Sequence, residues 1–314
     1  MKILLAASLF LLHGFAPAAA HAQVCAPATW LRLDGERPAA VAPGELVAEM
    51  AQRDVVLLGE EHNEADHHRW QLHTLAALHA RRPDMVIGFE MLPRRAQPIL
   101  DRWIAGELTA RQFLAEVQWD DVWNVPAELY LPLFEFARLQ RIPVIALNVE
   151  RKLTQAVAAS GWDAVAEHDR EGISRPAAAP QAYLDELARV HREHGGQTPL
   201  RNFVEAQQTW DRAMAEALAR RPASVLAVGI IGSGHLRHGH GVALQLRDLG
   251  VRRIGTLLPV DAAQCKQLVT GLADAAFVLP GSAAAKPPPP RLGVQLEQAG
   301  EVVRLAEVLA GSLA

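Results

Sequence analysis

Cysteine is nearly absent from the 314 residues: there are two, Cys25 and Cys265. So sparse a set cannot staple a disulfide-scaffold protein. Lysine stands only at positions 2, 152, 266 and 286, so nearly all the cations are arginine; with the abundant alanine, this reads as genome composition. The net charge of −4 leaves no basic footprint and argues against a nucleic-acid partner. Beyond the first residues no apolar run approaches the roughly 20 residues that span a bilayer. The chain has no Gly-x-Gly-x-x-Gly, phosphate loop, His-Glu-x-x-His or Gly-x-Ser-x-Gly, which weakens nucleotide-cofactor chemistry and the commonest serine and zinc hydrolases. With 50% hydrophobic residues, 22 Gly and 20 Pro, it is neither disordered nor collagen-like.

The amino terminus carries an address. Met1-Lys2, the apolar run Ile3 to Leu12 and the small residues of Ala20-His21-Ala22 have the order of a secretory signal, with cleavage expected after Ala22. The expected product is a periplasmic protein. Val24 is too bulky for a lipoprotein processing site before Cys25, so membrane association is expected only if Cys25 is lipidated after all, as in an outer-membrane lipoprotein. In an oxidising compartment Cys25 and Cys265 are expected to pair; two free thiols are the alternative.

Residues 23–285 read as one α/β domain. Short apolar runs at 54–58, 85–89, 143–147, 224–231, 253–258 and 276–279 alternate with helical patterns at about 67–80, 96–105, 109–118, 132–140, 152–159, 181–194 and 202–220. Uninterrupted apolar strands separated by helices predict a mostly parallel sheet flanked by helices on both faces. Residues 171–180, rich in Ala and Pro, read as an exposed loop. Lys286 and the four prolines after it form a stiff spacer before a C-terminal segment, 286–314 in all, expected to contain a strand and a helix over 291–310.

Chemistry gathers just beyond the strands. The first runs into Glu60, Glu61 and His62, the second ends at Glu90, the third at Asn148 and the fourth at His235. The carboxyl ends of parallel strands lie together, and ligand clefts form there. A carboxylate after one strand may only cap a helix; polar groups after four strands indicate a site. The set suits a divalent metal held by His62, Glu90 and His235, or an acid–base pair with Glu60 or Glu61 as base. His67, His68, His73, His79, His238 and His240 read as solvated or partly packed. The aromatic stretch from Trp119 to Phe136 reads as core or as a flap.

Leu57-Leu-Gly-Glu-Glu-His-Asn63 with His67-His68, Gly88-Phe-Glu-Met-Leu92, Gln97, Tyr130-Leu-Pro-Leu-Phe134, Ile142 to Asn148 with Arg151, Ala206-Gln207, Asp211, Met214-Ala215 and Gly232-Ser-Gly-His235 occur in the order seen in the ChaN-like haem-binding family. The chain resembles that family, part of the superfamily of Tiki proteases and erythromycin-esterase-like enzymes, over about residues 50–260. The resemblance implies an exported haem-binding protein of iron acquisition, a homodimer with haem near its interface and a partner in an uptake system. Ferric haem takes a phenolate, imidazole or thiolate. With the cysteines paired, the choice lies among Tyr130, Tyr183 and a histidine, and Tyr130 comes first. His62, Glu90, Asn148, Arg151 and His235 are expected around the haem, with Arg94 and Arg95 as further partners for its propionates. In the enzymatic relatives the corresponding centre is Gly59/His62, Glu90 and His235. The alternative function is therefore a metal-dependent peptidase or esterase.

Overall fold

The computed structural model describes residues 25–193, 195–196, 198–280, 294–299 and 302–308. The segment 1–22, expected to be a secretory signal, and the proline tract after Lys286 lie outside them. Residues up to Leu279 form one compact unit and those from Pro280 a second.

The first unit is built on an eight-stranded sheet: β1 (Thr29–Arg32), β2 (Ala39–Val41), β3 (Val55–Glu60), β4 (Met85–Pro93), β5 (Val144–Asn148), β6 (Leu226–Gly232), β7 (Ile254–Asp261) and β8 (Ala275–Leu279), in the order β2-β1-β8-β7-β3-β6-β4-β5. From β8 to β5 every neighbouring pair is parallel. β1 runs antiparallel to both β8 and β2. The expected mostly parallel sheet is therefore present, with one antiparallel edge. β1 and β2 are too short, at four and three residues, to leave a pattern in the sequence.

Alternation along the strands sorts their side chains between the two faces. Val56 and Leu58 of β3, with Ile87 and Phe89 of β4, join the core under helices Ala65–His79, Gln97–Ile104 and Leu131–Gln140. Val55 and Leu57 join Met214, Leu218, Val242 and Leu246 of helices Leu200–Ala219 and Val242–Asp248 on the opposite face. Every residue of β3 and β6 is buried, as a strand covered on both sides requires. The same alternation carries Glu60 onto the first face and Glu90 onto the second.

Cys25 and Cys265 form a disulfide with a Cα–Cα distance of 5.7 Å. Residues 171–180 are irregular, yet they are not simply exposed. Ile173 is buried, and the Ser174 and Ala177 amides donate to Glu216 and Gln245 at 2.9 and 2.8 Å. Two buried acceptors on the neighbouring helices pin a segment whose composition alone reads as solvent-facing. In the second unit, β9 (Val294–Ala299) and β10 (Val302–Val308) pair antiparallel. A hairpin thus stands where a strand and a helix were expected; valines at 294, 302, 303 and 308 favour the extended chain over a helix.

Candidate functional site

Glu60, the last residue of β3, is 1% exposed and binds three side chains. Its Oε1 meets His62 Nδ1 at 2.8 Å and accepts the Tyr130 hydroxyl at 2.5 Å, while Oε2 lies 3.2 Å from His68 Nδ1. Burial disfavours its ionised form, but hydrogen bonds from His62, His68 and Tyr130 outweigh that and hold the carboxyl at about 2. His68 is fixed in turn: its Nε2 bonds the His62 carbonyl at 3.0 Å and Gln71 braces its Nδ1 at 3.2 Å. Burial lowers the pKa of His62, yet the bond to Glu60 and the field of Glu90 raise it on balance.

A matching arrangement occupies the other face. His235 Nδ1 bonds Asp211 Oδ1 at 2.7 Å, and Tyr183 donates its hydroxyl to Asp211 Oδ2 at 2.9 Å. His235 Nε2 lies 3.8 Å from Glu90 Oε1, and Glu90 Oε2 accepts the Gly232 amide at 2.6 Å. Burial acts against the charged imidazole; Asp211 and Glu90 overcome it and bring His235 up to about 9. Asn148 donates to the Glu90 carbonyl at 2.9 Å and so fixes the end of β4. The two tyrosines of the chain thus hold equivalent places, each buried with its hydroxyl on the carboxylate that orients a histidine.

The structure joins Glu60 to His62 directly, and Glu90 to His235 and Asn148. Glu61 stands apart; its carboxylate is exposed and pairs with Arg237 at 3.2 Å. No group of three or more His, Cys, Asp and Glu is arranged to hold a metal ion among the described residues. In the expected His62/Glu90/His235 set, both histidines have Nδ1 on a carboxylate, and Glu90 accepts the Gly232 amide and lies 3.8 Å from His235 Nε2. Tyr130, the first choice for the haem iron, lies inside the protein. It is fully buried, its hydroxyl is committed to Glu60, and burial with the Glu60 charge pushes its pKa upward, away from the phenolate. Tyr183 is equally enclosed. Arg94 is turned to the Ala213 carbonyl and Glu216, and Arg95 pairs with Glu150 at 2.6 Å, whereas Arg151 is exposed and makes no ion pair among the described residues.

Sequence reasoning set aside His68 and His67, and gave Asp211 no role. The usable signal was position: His68 and Gln71 are three apart on one helix, the spacing that puts both on its inner face.

Gly232 makes room for His62. A Cβ there would sit 2.8 Å from His62 Cε1 and 3.2 Å from its Nε2. Gly232→Ala is expected to displace the imidazole and to cost about 1–3 kcal/mol in an unfolding titration. An unchanged midpoint would show that the ring has another resting place.

A cleft of about 670 Å³ opens beside His62, bounded by Leu258, Leu268 and Leu272 on one side and by Glu64, His67 and Asp261 on another. A second cavity, of about 210 Å³, lies between Trp123, Trp210, Asn148 and Arg151. Trp123 stands edge-on to His62 with ring centres 4.7 Å apart, and Trp210 edge-on to His235 at 5.7 Å.

An open parallel sheet with carboxylate-backed histidines at its carboxyl edge defines an α/β protein built around a strand-end binding cleft. The family model described as "Haem-binding uptake, Tiki superfamily, ChaN" matches residues 46–246, and the chain belongs to that family. The structure resembles ChaN of Campylobacter jejuni, described with cofacial haem binding, at 20% identity over 81% of this chain and 98% of that one, with a TM-score of 0.63. At that identity the likeness is one of fold. A toxin effector domain of Vibrio vulnificus matches at 19% identity over 70% of this chain and 36% of its own, TM-score 0.45. An erythromycin esterase in its open conformation matches at 11% identity over 69% and 72%, TM-score 0.41. No curated protein matches the chain.

Proposed function

We propose that this protein binds haem at the carboxyl edge of its sheet, with His62 as the side chain that meets the iron, and that it serves haem or iron acquisition outside the cytoplasm. One observation carries the reading. Of the groups that ligate ferric haem, both thiols are joined in a disulfide and both tyrosines are buried against carboxylates, whereas His62 has a side chain 37% exposed and an Nε2 without a hydrogen-bond partner among the described residues. Glu60 on Nδ1 fixes the ring and leaves Nε2 free beside Gly232, the arrangement that orients histidine ligands generally. The cleft falls within the range of small-molecule sites. Arg237, paired with Glu61, is the cation that lines this cleft and could turn to a propionate, while Arg151 lines the second cavity. Bound haem supplies an iron that takes an axial imidazole; on this reading it is cargo to be held and released.

Export supports the same reading: the disulfide suits an oxidising compartment, and it occupies the Cys25 sulfur that a lipid anchor would need. A homodimer and an uptake partner belong to this proposal too. A second reading, hydrolysis of an ester or peptide, draws on the two carboxylate-backed imidazoles with Glu90 beside them, which are acid–base equipment in themselves. The test is a haemin titration followed in the Soret region. Saturable binding is expected in the wild type and in Tyr130→Phe and to be lost in His62→Ala; binding lost in Tyr130→Phe and kept in His62→Ala would return the ligand to the tyrosine. Hydrolysis that fails in His235→Ala, without haem binding, would favour the second reading, and loss of it with a chelator would make it metal-dependent.

A further inference from the structure

The far end of the large cleft is wrong for haem in its charge. Glu61 is matched by Arg237, but the carboxylates of Glu64 and Asp261, both lining the cleft, meet no cation among the described residues. An anionic propionate would be repelled there, so that end suits a different occupant.

The groups around it describe which one. His67 is 7% exposed and lines the cleft, and its Nδ1 accepts the Glu61 amide at 2.8 Å. That bond assigns the proton to Nε2, which has no partner among the described residues. Burial lowers the His67 pKa to about 4, so the ring stays neutral at pH 7 and Nε2 is a hydrogen-bond donor. Ser233, 5% exposed, adds a hydroxyl that binds no described residue. Behind them stand Leu258, Leu268 and Leu272. The site thus offers two carboxylates for a cation, a buried donor for an adjacent acceptor and an apolar wall for a side chain.

We infer that this end of the cleft binds the amino-terminal residue of a peptide: its ammonium on Asp261 and Glu64, its first carbonyl on His67 Nε2, and an apolar side chain against the leucines. Capture of a terminal amine by fixed polar groups is a general mode of peptide recognition. The inference is argued from cleft groups other than His62, so it stands or falls separately from the haem reading.

The probes are leucyl-leucinamide and its N-acetyl form, titrated calorimetrically into the purified protein. The free amine is expected to bind saturably and the acetylated peptide about tenfold or more weaker. Glu64→Gln with Asp261→Asn, both exposed positions that leave the core intact, is expected to remove that preference while the far-ultraviolet spectrum and thermal midpoint stay unchanged. Equal affinity for the two peptides, no binding of either, or an undiminished preference in the double variant would overturn the inference. A haemin titration on the same samples reads the other proposal separately.

Discussion

Replacing Cys25 and Cys265 by serine, or reducing their bond, is expected to lower stability by about 3–5 kcal/mol. The disulfide joins residues 240 positions apart, so it closes nearly the whole of the first unit into a loop and removes much of the freedom of the unfolded chain. Cys265 also lies within the segment that carries Gln264 and Leu268 to the cleft wall. Thermal unfolding with and without a thiol reductant measures the effect; the midpoint should fall by roughly 10 °C for a domain of this size. Identical melting curves would show that the fold does not lean on this bond.

Glu60→Ala is expected to cost about 3–5 kcal/mol and to disorder the His62 ring, because it strips one partner from a buried charged network and leaves His62, His68 and Tyr130 unmatched. The same network predicts a dependence on pH. Glu60 has its pKa depressed to about 2 from a usual 4.5, so its contribution is present above about pH 4.5 and is lost as pH falls toward 2. His235 is raised to about 9 from 6.5, so its contribution is complete below about pH 6.5 and disappears as pH rises through 9. Both are in force together between those limits, where stability should peak. In Glu60→Gln the acid limb should flatten, together with the part of the alkaline limb that His62 and His68 owe to Glu60; in Asp211→Asn the part owed to His235 should flatten. Denaturant midpoints across pH test each limb, and an acid limb unchanged in Glu60→Gln would remove Glu60 as its cause.

The parallel sheet was readable because β3, β4 and β6 are uninterrupted apolar runs ending in glycine or acid, and the rule that ligands gather at carboxyl ends then located Glu60, His62, Glu90 and His235 without any contact being known. Pairing within that group was not readable. Whether a histidine turns to metal, iron or carboxylate depends on side-chain direction, and strand alternation assigns Glu60 and Glu90 to opposite faces only once the register is fixed. The environment of Tyr130 was unreadable for the same reason: an aromatic segment marks either a cover over a ligand or a core, and here helix packing buried the ring while His62 lines the large cleft and Trp123 the second cavity. Asp211 lies mid-helix and His68 in the first turn of its helix, places where a polar residue ordinarily faces water, and only tertiary packing turns them inward. The hairpin of β9 and β10 shows local propensity prevailing where no long apolar stripe demanded a helix.

The central claim is that an imidazole, and in particular His62, meets haem iron. Its most direct test is electron–nuclear hyperfine spectroscopy of the haemin complex made with 15N-histidine, in the wild type and in His62→Ala. A nitrogen coupling on the axis that shifts with the label and vanishes in His62→Ala is the predicted result. A complex with no axial nitrogen coupling, unchanged by His62→Ala, would contradict it and would place an oxygen ligand on the iron.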